Sequence, residues 1–197
     1  MEFNGTATIE NASTEEVWLA LSDPYMIKEA LPGCAFIVEI EGDEEIEEAA
    51  ERAPEEDPET LPEAEPEEIA ERAFVEGGRY AARMQISVGS VKPKFDTMVT
   101  IDDREFPEMN ASAEGESSNS SFEMSSGMEL VETENDVDVE WWAEADVFGR
   151  VAQMGQRVIN PVAKRVVGRF FDQVEAQLQE VSGESSGGLR GRISGLF

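Results

Sequence analysis

Histidine is absent from the 197 residues. That removes a Ser–His triad, a Cys–His pair and any metal held by imidazole. Cysteine occurs once, as Cys34, so no internal disulfide can form and a reducing compartment is expected. Cys34 follows Pro32-Gly33 with no neighbouring cation and reads as a small packed residue rather than a nucleophile. Lysine is confined to positions 28, 92, 94 and 164, and Lys+Arg total 15 against 44 Asp+Glu, a formal net charge of −29. With no basic stripe to displace counterions from phosphates, nucleic acid is not an expected partner. No apolar run has the length of a membrane-spanning helix. The opening Met1-Glu2-Phe3-Asn4 has neither the basic nor the apolar region of a secretory signal, so a cytoplasmic location is expected.

What is present is a core. Hydrophobic residues make up 40% of the chain, too many for a polypeptide that is disordered throughout. An acidic coat over such a core repels itself unless salt screens it, and a halophile's cytoplasm is the expected setting.

Period-two alternation over Glu2 to Ile9 predicts a first strand. Ser13-Thr14-Glu15-Glu16 is a capping box that opens a helix carrying Val17, Trp18 and Leu21. Asp23-Pro24 caps a second short helix, ended by Leu31-Pro32-Gly33, and Ala35 to Ile40 is a second strand. Residues 41–76 then change character: dense in acids, with prolines at 54, 58, 62 and 66, they are read as a disordered insertion. Alternation resumes from Tyr80 to Val88, Phe95 to Ile101, Glu108 to Glu116, Phe122 to Leu130 and Val137 to Val147, a meander of antiparallel hairpins. Trp141 and Trp142 fall on opposite phases, so one of them must leave the core face. From Arg150 to Val181 apolar residues recur at three- and four-residue steps, predicting a long amphipathic helix with a bend at Pro161.

The predicted architecture is α+β, a helix-grip arrangement in which a curved antiparallel sheet wraps the long C-terminal helix. The domain is read as residues 1–182. Residues 183–197 are read as a Gly/Ser linker and a short basic amphipathic tail. In that tail Leu189, Arg190, Arg192, Ile193, Leu196 and Phe197 form a candidate docking peptide for an anionic membrane or an acidic partner. Candidate walls of an apolar cavity are Trp18, Ala82, Met84, Ile86, Phe95, Met124, Met128, Trp141, Ala143, Met154, Val158 and Phe170. Several are small or flexible residues of the kind that adapt to varied apolar ligands. Periodicity alone does not separate a filled core from a cavity. No isolated acid/base pair, metal loop or phosphate loop stands out, so no catalytic residue is assigned.

Gly5, Val17-Trp18 with Leu21, Asp23-Pro24 and Leu31-Pro32-Gly33-Cys34 resemble the opening of the CoxG family of carbon monoxide dehydrogenase subunits. So do Val88-Gly89-Ser90-Val91-Lys92-Pro93-Lys94-Phe95, Phe148-Gly149-Arg150-Val151-Ala152-Gln153-Met154-Gly155-Gln156-Arg157 and Phe170-Phe171. The resemblance spans residues 1–40 and 77–181, and the acidic insertion departs from it. It implies a START/SRPBCC-like fold and a non-catalytic role beside a molybdenum hydroxylase of the carbon monoxide dehydrogenase type. It also implies a cavity suited to a quinone or another lipophilic ligand, no covalently bound cofactor, and recruitment to the inner face of the membrane. Two alternatives stay open: an enzyme on the same fold, a cyclase or hydrolase acting on a hydrophobic substrate, and a purely structural assembly protein.

Overall fold

The computed structural model describes residues 1–184, 192–193 and 196. Alternating side chains produce seven strands: β1 (Glu2–Ile9), β2 (Cys34–Glu39), β3 (Arg79–Gln85), β4 (Lys94–Glu105), β5 (Glu108–Ser117), β6 (Ser120–Glu132) and β7 (Val137–Gly149). They pair antiparallel in the order β1-β7-β6-β5-β4-β3-β2, so β1 and β2 are the free edges of one curved sheet. Short loops join β3 through β7 as a meander, whereas β1 crosses to pair with the last strand.

Helix α1 (Thr14–Ser22) starts on the anticipated capping box: Ser13 Oγ accepts from Glu16 N at 3.2 Å, and Glu16 Oε2 accepts from Ser13 N at 2.8 Å. Helix α2 (Pro24–Ala30) starts on Asp23, whose Oδ1 accepts from Tyr25 N at 3.1 Å. Together with β6, β7 and the C-terminal helix these elements bury Val17, Trp18, Leu21, Leu130, Val137 and Val139 in the main core.

The insertion corrects the expectation of disorder. Residues 41–76 contain α3 (Ile46–Glu51) and α4 (Pro66–Arg72). Ala49, Leu61, Ala64, Ile69 and Phe74 are all buried. Helix α3 covers the outer sheet face at β2 to β4, packing Ala49 with Phe36 and Ala81. Leu61, Ala64 and Ile69 join the main core, and burying a Leu or Ile contributes roughly 1.5–3 kcal/mol each. Polar ties complete the docking. Arg72 Nη2 and Nε donate to Asp23 at 2.6 and 3.0 Å, and Arg52 Nη2 donates to Glu39 O and Glu44 Oε2, each at 2.6 Å.

Two details of the meander and helix also differ from the pattern. Strand β3 stops at Gln85, and Val88 and Val91 form a single bridge around Gly89. The C-terminal helix is interrupted at Gly155, with φ of 75°, rather than at Pro161. That separates α5 (Arg150–Gln153) from α6 (Gln156–Glu184), and Pro161 lies within α6. A left-handed residue cannot continue a right-handed helix, so the glycine sets the break.

Candidate functional site

Helix α6 is gripped at its two ends. Val158, Ile159 and Val162 pack with Val88, Phe95, Val151, Phe122 and Val147, while Val174 and Leu178 join the main core. Between them Val166 and Val167 belong to neither cluster and are half-buried. The sheet beneath is lined with small side chains. In register across the inner face run Phe3–Ala143–Ser126–Ala111 and Val99–Ala113–Met124–Ala145. Ala143, Ala145, Met124 and Ser126 are only half-buried although they face the helix side.

At the free edge of the sheet this region opens. A cleft of about 620 Å³ lies between β1 and α6, lined by Phe3, Ala7, Trp141, Val167, Gly168 and Phe171, with Asn4, Asn160, Lys164, Asp172 and Glu175 around it. Local geometry explains its shape. A Cβ on Gly5 would stand 3.0 Å from Trp141 Cζ2, so the missing side chain lets the indole rest on β1. A Cβ on Gly168 would meet nothing within 4 Å, so this helical glycine leaves a notch in the opposite wall. The Trp141 and Phe171 rings face each other across the cleft, with centroids 6.5 Å apart and planes tilted by 34°.

Among the predicted wall residues, Trp141 lines this cleft. Met124 and Ala143 lie on the half-buried inner face. Ile86, Phe95, Met154 and Val158 form the packed cluster at the far end, and Met84 pairs with Phe95 in register. Ala82 sits with Ile37, Tyr80 and Ile101, while Met128 and Phe170 pack against the main core. Trp18 is not a cavity wall. It is 1% exposed, beneath the Arg104 guanidinium at 5.0 Å and against Phe106 at 5.5 Å, because its helix packs flat on β6 and β7. Phe3, Lys164, Gly168 and Phe171 were missed. A glycine inside a strong helical pattern was the available signal for the notch.

The tail also departs from expectation. Leu189, Arg190 and Phe197 lie outside the described residues. Arg192 is held by the chain itself, pairing with Glu65 Oε2 at 2.5 Å and with Glu67, while Ile193 is fully buried in the main core. An isolated cation next to the acidic α4 finds its counter-charge there, and an adjacent apolar side chain finds the exposed edge of the core.

Polar groups inside the grip are few. Thr97 Oγ1, on the inner face beside Gly115 and 4% exposed, has no hydrogen-bond partner, nor has Arg104 Nε. Arg104 Nη2 donates to Ser22 Oγ at 3.0 Å, and desolvation lowers its pKa. Burial likewise pushes the Cys34 thiol up to about 11. Among the described residues no group of three or more Cys, Asp or Glu is placed to hold a metal ion. No helix among them is long and apolar enough to cross a membrane.

A sheet gripping a terminal helix with an apolar cleft at its edge defines a START-like helix-grip protein, and solved structures agree on the fold. A conserved protein from Geobacillus kaustophilus superposes with a TM-score of 0.67 at 21% identity, over 91% of this chain and 96% of that one. An aromatase/cyclase from Streptomyces sp. R1128 gives 0.57 at 11% identity, over 95% and 98%. A START superfamily protein from Mycobacterium smegmatis gives 0.52 at 10%, over 91% and 98%. No curated protein matches the sequence significantly. The family model of the carbon monoxide dehydrogenase protein CoxG matches residues 71–179, and the chain belongs to that family.

Proposed function

We propose that this chain is a non-catalytic accessory protein that holds an apolar ligand, a quinone, in the cleft between β1 and α6. It would serve a molybdenum hydroxylase of the carbon monoxide dehydrogenase type. The observation that carries the reading is the cleft itself: aromatic and aliphatic side chains face each other there across open space, and the small-residue inner face lies behind them. Apolar surface left uncovered at that scale favours a lipophilic occupant, and the few polar groups at the rim, Asn160 and Lys164, are donors suited to a carbonyl oxygen. Family membership supplies the partner class. In this reading the link to the membrane runs through the C-terminal tail, once Arg192 and Ile193 leave α4 and the core.

The test is native mass spectrometry of protein purified without detergent from cells that make isoprenoid quinones. A one-to-one quinone adduct is the expected result. Protein that is empty, and stays empty when incubated with a soluble quinone, would overturn the reading.

One observation favours an enzyme on the same fold instead: Thr97 Oγ1 and Arg104 Nε are polar atoms buried without partners. A hydrolytic or cyclising role predicts turnover of an ester or polyketide-like substrate that Thr97→Val abolishes. A carrier predicts no turnover by either form.

A further inference from the structure

The outer sheet face carries a feature that ligand carriage does not use. Trp142 is 42% exposed, on the side of β7 away from α6. In register it stands between Asn4 of β1 and Gly127 of β6, with Asn110 of β5 beyond. Its indole lies across Gly127: a Cβ there would stand 2.5 Å from Nε1 and 2.8 Å from Cε2, and 2.2 Å from Asn110 Oδ1. Glycine at 127 therefore permits the ring to lie down on the sheet.

The ring is framed by acids. Glu140 and Glu144 flank it on β7; Glu129 is directly opposite Glu140, and Glu2 directly opposite Glu144. All four are exposed. Like charges directly across a strand pair destabilise a sheet. Here two such pairs bracket one aromatic ring, and none of the four carboxylates joins an ion pair among the described residues. Those pairs fall on Asp23, Glu41, Glu44, Asp57, Glu65, Glu67 and Asp96. A groove of about 620 Å³ continues from Glu2 and Glu144 across the same face, past Ser125 and Glu123 to Glu114, Ser112 and Thr100. Helix α3 covers the sheet only near β2 to β4, so this part is open.

We infer that this face docks a protein partner through an arginine that stacks on Trp142, with its guanidinium edge received by Glu140, Glu144 and Glu129. The chemistry selects the occupant. An indole face attracts a cation, a planar guanidinium stacks on it and forks to carboxylates, and a lysine ammonium does so less well. A second copy of this chain is disfavoured, since it would bring another −29 against an acidic face. Contact stacking also survives salt that screens the long-range field of the acids, so docking persists where bulk attraction fades.

The probe is the peptide acetyl-Arg-Gly-Arg-Gly-Arg-amide, with its lysine counterpart as control. Both are titrated calorimetrically into the full chain at low and at high salt. The arginine peptide binds about threefold or more tighter than the lysine peptide, and Trp142→Ala, which leaves net charge unchanged, weakens it about tenfold. Trp142→Phe restores part of the loss. Equal binding by wild type and Trp142→Ala, equal binding of the two peptides, or no binding of either would overturn the proposal. So would a wild-type dimer in sedimentation velocity that Trp142→Ala makes monomeric, since the face would then be a self-contact. The melting temperature of Trp142→Ala, expected to match wild type for an exposed position, separates lost docking from lost folding.

Discussion

Replacing Arg72 by alanine should cost far more than a surface ion pair is worth. The Asp23 carboxylate is 0% exposed, and Arg72, itself 20% exposed at the side chain, binds it in a fork at 2.6 and 3.0 Å. The same guanidinium donates to Glu59 O at 2.7 Å and lies over the Tyr25 ring at 5.0 Å. Stripping one partner from a buried pair leaves an uncompensated charge, which costs about 3–5 kcal/mol. Asp23 keeps its bond from Tyr25 N, and water can enter along the path Arg72 vacates, so the lower end, about 3 kcal/mol, is expected. For a chain of this size that corresponds to a fall in melting temperature of roughly 6–12 °C. Urea unfolding at one fixed salt concentration measures it, and a cycle with Asp23→Asn isolates the pair. Asn keeps the helix cap without the charge, so the double variant should lose much less than the sum of the two single losses. A loss below about 1 kcal/mol for Arg72→Ala, the scale of an exposed pair, or simple additivity in the cycle, would refute the claim that this contact welds the insertion to the core.

Three further outcomes follow from the same structure. Hydrogen bonds from Arg192 hold the Glu67 carboxyl below the usual carboxylate range. A depressed carboxyl stabilises above its unfolded value of about 4.3 and loses that contribution as pH falls through the folded value, so the tail's hold on α4 persists at neutral pH and weakens only below about pH 4. Carboxyl NMR should find Glu67 titrating low in wild type and normally in Arg192→Ala; unchanged titration would show that the pair is not formed. Cys34, pushed up to about 11 by burial, is about one part in a thousand thiolate near pH 8. Iodoacetamide should therefore label it slowly until urea is added, and labelling of the folded chain at a free-thiol rate would contradict its packing. Ile193→Asp places a charge in the main core where Ile193 is 0% exposed, so it should either release the tail or lower stability by at least about 1 kcal/mol. Wild-type stability with unchanged tail protection in hydrogen exchange would count against the docked tail.

Local signals carried much of the fold. Ser13 and Glu16 cap α1 through backbone contacts three residues apart, and the phases of β4 to β7 follow from alternation within each strand. Trp141 and Trp142 part to opposite faces for the same reason. The insertion was obscured because its acids dominate composition, while the few residues that anchor it, Ala49, Leu61, Ala64 and Ile69, are scattered among them. Their burial depends on α1 and β3, remote in sequence. The cleft was illegible for a related reason. Phe3 reaches Trp141 only because β1 crosses to pair with β7, and Phe171 reaches both only once α6 is seated. The position of the helix break was a contest between Pro161 and Gly155, settled by a backbone conformation that spacing does not encode.

The most direct test of a ligand beneath α6 is to fill its notch. Phenylalanine at Gly168 has open space before it and replaces a helical glycine, which should stabilise α6 by a few tenths of a kcal/mol. Calorimetric titration with a short-chain quinone should give saturable one-to-one binding to wild type and none to Gly168→Phe, with the melting temperature unchanged or raised. Equal binding by the two proteins would place the ligand elsewhere, and no binding by wild type would contradict the carrier itself.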